Sequence, residues 1–153
     1  MELVILVGNI GSGKSTLTKK YQEAGFVVVS RDSIRYAIGG GRYIFNPDYE
    51  PIVHQLSIVM LIQFIDLGVD IIIDETNVTS DLRNQYIILA NESGYHIKCV
   101  VLPKLSKEES INRRLKNPHG DFDRNIWEQV WKRFNETYEE PDKSEGFDEV
   151  IYL

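Results

Sequence analysis

Apolar residues along this chain fall into short unbroken runs separated by stretches with helical spacing. The runs at 2–7 (ELVILV), 26–30 (FVVVS), 69–74 (VDIIID), 95–102 (YHIKCVVL) and 148–153 (DEVIYL) have the length of strands. Their largely continuous apolar character predicts strands covered on both faces, as in a parallel sheet. Between them, Gly25 is expected to close a first helix, and a weaker helical stretch from about Ser33 to Ile38 must break at Gly39-Gly40-Gly41. Residues from about Asp48 to Leu67 are apolar on most faces and too long for a strand. They predict a buried helix with Pro51 in its first turn and Gly68 at its C-cap.

Later signals are sharper. A helix from about Ser80 to Ser93 should start after Thr79 or Ser80 and end at Gly94. Ser106 with Glu109 three residues on makes a capping box for a helix reaching about Lys116. A polar loop, NPHGD (117–121), then leads to a helix from about Asp123 to Glu139, before Pro141. The order β-α-β-α-α-β-α-β-α-α-β predicts a three-layer α/β fold with a mainly parallel five-stranded sheet. Ligands of such sheets sit at the carboxyl ends of the strands.

Composition acts mainly by exclusion. With 42% hydrophobic and 26% charged residues and no low-complexity tract, residues 1–153 are expected to form one domain. The lone cysteine, Cys99, sits in an apolar run and allows no intrachain disulfide, which fits a reducing compartment. The opening run has no basic flank and is too short to span a bilayer, so a cytoplasmic location without a membrane partner is expected. A net charge of −6 argues against a broad grip on duplex DNA, yet allows a nucleic-acid end in a local basic pocket. Nothing in the sequence speaks to oligomeric state.

The first glycine cluster changes the picture most. GNIGSGKS (8–15) matches G-x-x-x-x-G-K-[ST] between a strand and a helix, the context the P-loop motif requires, and predicts a P-loop NTPase fold. Backbone N–H groups of Gly8, Asn9, Ile10, Gly11, Ser12 and Gly13 would form a nest for phosphates, reinforced by the helix N-terminus. Lys14 would reach the β- and γ-phosphates of ATP, and Ser15 would ligate Mg²⁺. Thr16, already in the helix, completes the expected ATP-binding set.

An acceptor side follows the second strand. Asp32, in SRDSIR (30–35), could take a proton from an attacking hydroxyl, or could simply cap a helix. Arg35, one turn on, has a planar fork suited to a phosphate or carboxylate. Asp74, ending IIID, has the form of a Walker B acid able to hold a Mg²⁺ water, with Glu75 the alternate if the register shifts. Asn77 is open to an acceptor role or to turn chemistry, and Arg83 to an acceptor role or a solvated helix face. Residues of about 112–123 look like a lid. Arg113 and Arg114, or Arg124, are the candidates for neutralising charge on a transferred phosphoryl group. His54, His96 and His119 form no metal-ligand pattern, and Trp127 with Trp131 at i, i+4 suits core packing.

Taken together, GNIGSGKS, SRDSIR, IIIDETN and the later arginine-bearing helix resemble the kinase domain of 5′-hydroxyl polynucleotide kinases, the phage and eukaryotic end-healing enzymes. They also resemble a wider set of P-loop kinases with that arrangement. The resemblance implies that Asp32 is the general base and that Arg35 contacts the phosphate next to the acceptor nucleoside. It implies that Thr76 and Asn77 border the acceptor channel and that Arg83 can face the acceptor strand. The sequence departs from the phage pattern at Asn117, which stands where that enzyme carries its lid arginine. The expected activity is ATP-dependent phosphorylation of a 5′-hydroxyl DNA or RNA end. The alternatives are a kinase for a small-molecule hydroxyl such as a nucleoside or sugar, and a nucleotide-dependent switch.

Overall fold

The computed structural model describes residues Met1–Leu153. Five strands, β1 (Glu2–Val7), β2 (Val27–Val29), β3 (Ile71–Ile73), β4 (His96–Val101) and β5 (Glu149–Tyr152), form one parallel sheet in the order β2-β3-β1-β4-β5. The helices are α1 (Lys14–Glu23), α2 (Arg31–Ile38), α3 (Glu50–Leu67), α4 (Ser80–Glu92), α5 (Lys107–Lys116) and α6 (Arg124–Glu136). A short 3₁₀ turn, Lys143–Glu145, precedes β5. This is the three-layer α/β architecture with a parallel five-stranded sheet expected from the alternation of elements, consistent with a P-loop NTPase fold.

β1 lies at the centre, and Leu3, Val4, Ile5, Leu6 and Val7 are wholly buried. Successive side chains of a strand point to opposite faces. Leu3, Ile5, Ile71 and Ile73 therefore join the large core with Leu61 and Ile65 of α3 and Tyr86, Ile87 and Ala90 of α4. Val4, Leu6 and Ile72 face the other way, with Leu17 and Tyr21 of α1 packed against them. A third cluster lies outside these layers: Ile10 of the glycine loop meets Ile111 of α5 and Trp127 of α6, with Phe122 and Trp131 against it. The i, i+4 tryptophans are thus packing residues, and the helix pair they brace rests on the loop itself.

Two expectations change here. α3 is capped as read, with Gly68 at φ 66, but it is not a buried helix: only Val53, Ser57, Leu61 and Ile65 are buried. These four recur every fourth residue, a single stripe, while Ile52, Leu56, Val59 and Leu67 face outward. By length and mean hydropathy (18 residues, 1.3) α3 could cross a bilayer, yet Leu61 and Ile65 of its buried stripe belong to the sheet's own core. α6, for its part, ends at Glu136 rather than about Glu139. The Glu139 N–H donates to the Val78 carbonyl at 2.8 Å and its carboxylate accepts from the Ser80 N–H at 2.6 Å, so tertiary bonds draw the chain away from the helix.

Candidate active site

The carboxyl ends of β1, β2 and β3 open onto a cleft of about 590 Å³ roofed by α5, α6 and the 39–49 loop. Val7 leads into the glycine loop, where Gly11 and Gly13 have φ 68 and 103. A side chain at Gly11 would run into the Ser110 carbonyl oxygen of α5, so backbone conformation and the close helix both require glycine there. The Asn9 amide donates to the Trp131 carbonyl of α6 at 3.0 Å, a second tie between loop and roof. Ile10 to Thr16 line the cleft, while Gly8 and Asn9 border a smaller cavity of about 130 Å³ behind the loop.

Lys14 folds back over the loop, its Nζ donating to the Gly8 and Asn9 carbonyl oxygens at 2.7 Å each. Burial pulls its pKa down to about 8, against the opposing pull of Asp74. Asp74 continues the β3 ladder through its N–H to the Val29 carbonyl at 3.0 Å. By strand alternation it shares the Ile72 face, the side on which α1 begins, and it lines the cleft with Ser15. Burial pushes its carboxyl above the usual range, with Lys14 opposing. Glu75 points to the other face and pairs with Arg31 at 3.0 Å, so the alternate to Asp74 is already occupied. Ser15 and Asp74 offer few, hard oxygen donors, a set that fits Mg²⁺, which keeps most of its shell for water and phosphate.

Asp32 enters the cleft from the first turn of α2. The helix is capped by Ser30, whose Oγ accepts from the Ser33 N–H at 3.4 Å, so Asp32 is not spent on capping. Its Oδ1 accepts from Arg35 Nη1 at 2.6 Å and from the Tyr43 hydroxyl at 3.1 Å. Its Oδ2 stands 3.6 Å from His119 Nε2. Burial would raise the Asp32 carboxyl, but His119, Arg35 and the bonds from Arg35 and Tyr43 outweigh it and hold it below the usual range. Arg35 is buried and held along one edge by Glu50, with Nε–Oε1 at 2.9 Å and Nη2–Oε2 at 2.6 Å. Of its five N–H donors, three are engaged, leaving two for a ligand.

The lid arginines separate clearly. Arg113 turns outward to Glu109 at 2.6 Å and is half exposed, at the rim of the cleft. Arg124 is likewise outward, bonded to Asn112 at 2.6 Å. Arg114 lies over the Trp127 ring at 5.0 Å from its centroid, with its Nε buried and without a partner. Burial lowers its pKa even though Asp32 and Asp74 pull the other way, which marks a guanidinium short of anions.

Two residues expected on the acceptor side lie elsewhere. Asn77 is buried at φ 47 and donates to the Leu6 carbonyl at 2.8 Å, bracing the end of β1. Arg83 is fully buried: Nε and Nη2 bind Glu145 at 2.7 Å each, and Nη1 binds the Asn77 and Glu139 carbonyls at 3.0 and 3.1 Å. It clamps the C-terminal segment to α4 and has no path to an acceptor. Conversely, Glu50, Tyr43 and His119 belong to the site although the sequence did not single them out. The sequence signal for His119 was a histidine in a polar lid loop beside a glycine; metal spacing was the wrong pattern to seek.

A family model described as an AAA domain matches residues 3–141. No curated protein matches the chain. Among solved structures, a chain of the Pnkp1/Rnl/Hen1 RNA repair complex is 26% identical over 89% of this chain, with a TM-score of 0.71. A second structure of the Pnkp1/Rnl/Hen1 complex gives 28% identity over 73% of the chain and a TM-score of 0.62. This chain spans 44% and 38% of those two proteins. A gluconokinase from Sinorhizobium meliloti 1021 is 16% identical, with 99% of this chain and 81% of that one covered and a TM-score of 0.58, a likeness of fold.

Proposed function

From the premise that this chain belongs to the AAA domain family and is a P-loop kinase-like enzyme, we propose that it transfers the γ-phosphate of ATP to the 5′-hydroxyl end of a polynucleotide. The observation that carries this is Asp32 Oδ2, which accepts no hydrogen bond and faces His119 at 3.6 Å in the cleft that Lys14 and Ser15 also line. A switch that only binds nucleotide has no use for a base opposite its phosphate loop. Residues 1–153 act in this reading as one kinase domain with its own lid.

In the reaction, the glycine-loop N–H groups and Lys14 hold the β- and γ-phosphates, Lys14 exchanging the Gly8 and Asn9 carbonyls for phosphate oxygens. Mg²⁺, held through Ser15 and Asp74, would supply charge neutralisation on those phosphates when bound. Asp32 orients the acceptor hydroxyl and takes its proton on Oδ2 while Arg35 and Tyr43 fix Oδ1. Arg114, whose buried Nε has no partner, neutralises the phosphoryl group in flight. The two free N–H groups of Arg35 bind the phosphate next to the acceptor nucleoside. The polynucleotide acceptor is supported by the likeness to chains of the Pnkp1/Rnl/Hen1 RNA repair complex. A second reading, a small-molecule acceptor, is favoured by Glu50, whose carboxylate brings negative charge beside Arg35.

The deciding experiment offers γ-labelled ATP with 5′-hydroxyl oligonucleotides, 3′-phosphorylated nucleosides and free nucleosides. Label on the oligonucleotides is expected; label confined to free nucleosides or other metabolites would sink the polynucleotide reading. Asp32→Asn should bind ATP as the wild type does while transfer falls by roughly 10²–10⁴-fold. Retained transfer would remove Asp32 as the base.

A further inference from the structure

We propose that His119 is a positioning residue that relays the acceptor's proton away from Asp32, so that the lid loop completes the base as well as covering it. This rests on reading Asp32 as the base. Three separate elements build the arrangement: Asp32 on α2, Tyr43 in the 39–49 loop, and His119 between α5 and α6. With Oδ1 filled by Arg35 and Tyr43, Oδ2 is the oxygen left to take a proton, and His119 Nε2 faces it at 3.6 Å. The ring is held on its other side by the Tyr36 hydroxyl, 3.0 Å from Nδ1. It stacks on Tyr43 with centroids 5.2 Å apart and planes 25° apart. A histidine that served only to fill space would not need Nδ1 tied to a hydroxyl and Nε2 turned to a carboxylate.

If Nδ1–H donates to the Tyr36 oxygen, the Nε2 lone pair faces Oδ2. Catalytic contacts of this kind are often long without substrate and tighten once it binds. The groups facing the ring are Asp32, Arg35 and Tyr36 from α2, Tyr43 from its loop, Arg114 from α5 and Lys14 from α1. Burial lowers the imidazole pKa, with Asp32 opposing and Arg114, Arg35 and Lys14 reinforcing the fall. A lowered pKa favours the neutral ring, the form able to accept a proton. Phosphates arriving at Lys14 and Arg114 would offset those cations and make His119 a stronger acceptor when the donor is loaded.

The step balances as follows. The acceptor O–H bond breaks and its proton goes to Asp32 Oδ2. The acceptor O–P bond forms as the bond from the γ-phosphorus to the bridging oxygen breaks, its electron pair leaving with ADP. The proton then moves from Oδ2 to Nε2, restoring the carboxylate and leaving an imidazolium, which loses a proton to water. The ring is 23% exposed, enough for that exit.

The test compares kcat against pH, from about 5.5 to 9, for wild type, His119→Asn, His119→Phe and Asp32→Asn, using an acceptor the wild type phosphorylates. Wild-type kcat should fall on the acid side as His119 becomes protonated. Both His119 variants should lose roughly tenfold at the alkaline plateau and lose that acid limb, although phenylalanine keeps a ring against Tyr43. A His119→Phe enzyme with wild-type kcat and an unchanged acid limb would overturn the relay. An inactive Asp32→Asn beside normal His119 variants overturns the relay alone, whereas an active Asp32→Asn overturns the base reading beneath it. A readout independent of variants and turnover is the ¹⁵N NMR tautomer of His119 in wild type. The Nδ1–H form supports the relay, and the Nε2–H form is incompatible with it.

Discussion

Within the cleft, neighbouring residues of one type have opposite fates, and the difference lies in where each side chain ends. Arg113 and Arg114 are adjacent in sequence and equally plausible as lid arginines. A helix turns about 100° per residue, so one faces Glu109 outside while the other lies over the Trp127 ring with an unpartnered Nε. Arg114→Ala should therefore lower kcat by roughly 10²–10³-fold, the usual cost of deleting a donor to developing charge. Arg113→Ala should change it by less than about twofold, because an exposed i, i+4 pair contributes little. Steady-state kinetics at saturating ATP measure both, and equal losses would refute the assignment. Asp32 and Lys14 were legible because motif and strand context agree. Asn77 and Arg83 were misplaced because turn, clamp and ligand roles use the same side-chain chemistry, and only packing separates them.

Among the elements, α3 shows how far hydrophobic patterning reaches. Its ends were legible through Pro51 and Gly68, but its inward face was not, since apolar residues surround it on most sides. The structure buries the Val53-Ser57-Leu61-Ile65 stripe and leaves Leu56 and Val59 outside. Leu61→Ala should then cost about 2–5 kcal/mol in denaturant unfolding, a buried-leucine truncation. Val59→Thr, on the outer face, should stay within about 0.5 kcal/mol. A large loss from the outer substitution would mean that this face is covered. The lid helices differ: the Ser106 cap and the α5 boundary were readable from local chemistry, whereas their seat on the glycine loop, through Ile10, Ile111 and Trp127, was not.

Across the whole molecule, donor site and roof form one packed unit, because Gly11 abuts Ser110 and Asn9 binds Trp131. A ligand seated on the loop therefore meets a prearranged frame, and its binding energy adds to fold stability. At about 100 times its Kd, Mg²⁺-ATP should stabilise the protein by about 2.7 kcal/mol. For a domain of this size that corresponds to a Tm rise of roughly 5–10 °C in differential scanning fluorimetry. Asp32→Asn should keep the rise and Lys14→Ala should lose most of it; a full rise in Lys14→Ala would argue against the phosphate role of the loop. By itself, the amino-acid sequence determined the order of strands and helices, the phosphate loop and a carboxylate after β2, because periodicity, capping and glycine conformation act over a few residues. Tertiary structure alone decided which arginine enters the cleft, that Arg83 is a clamp, and that His119 meets Asp32. Those pairs are tens of residues apart, and their contacts exist only once the sheet, the roof and the 39–49 loop have packed together.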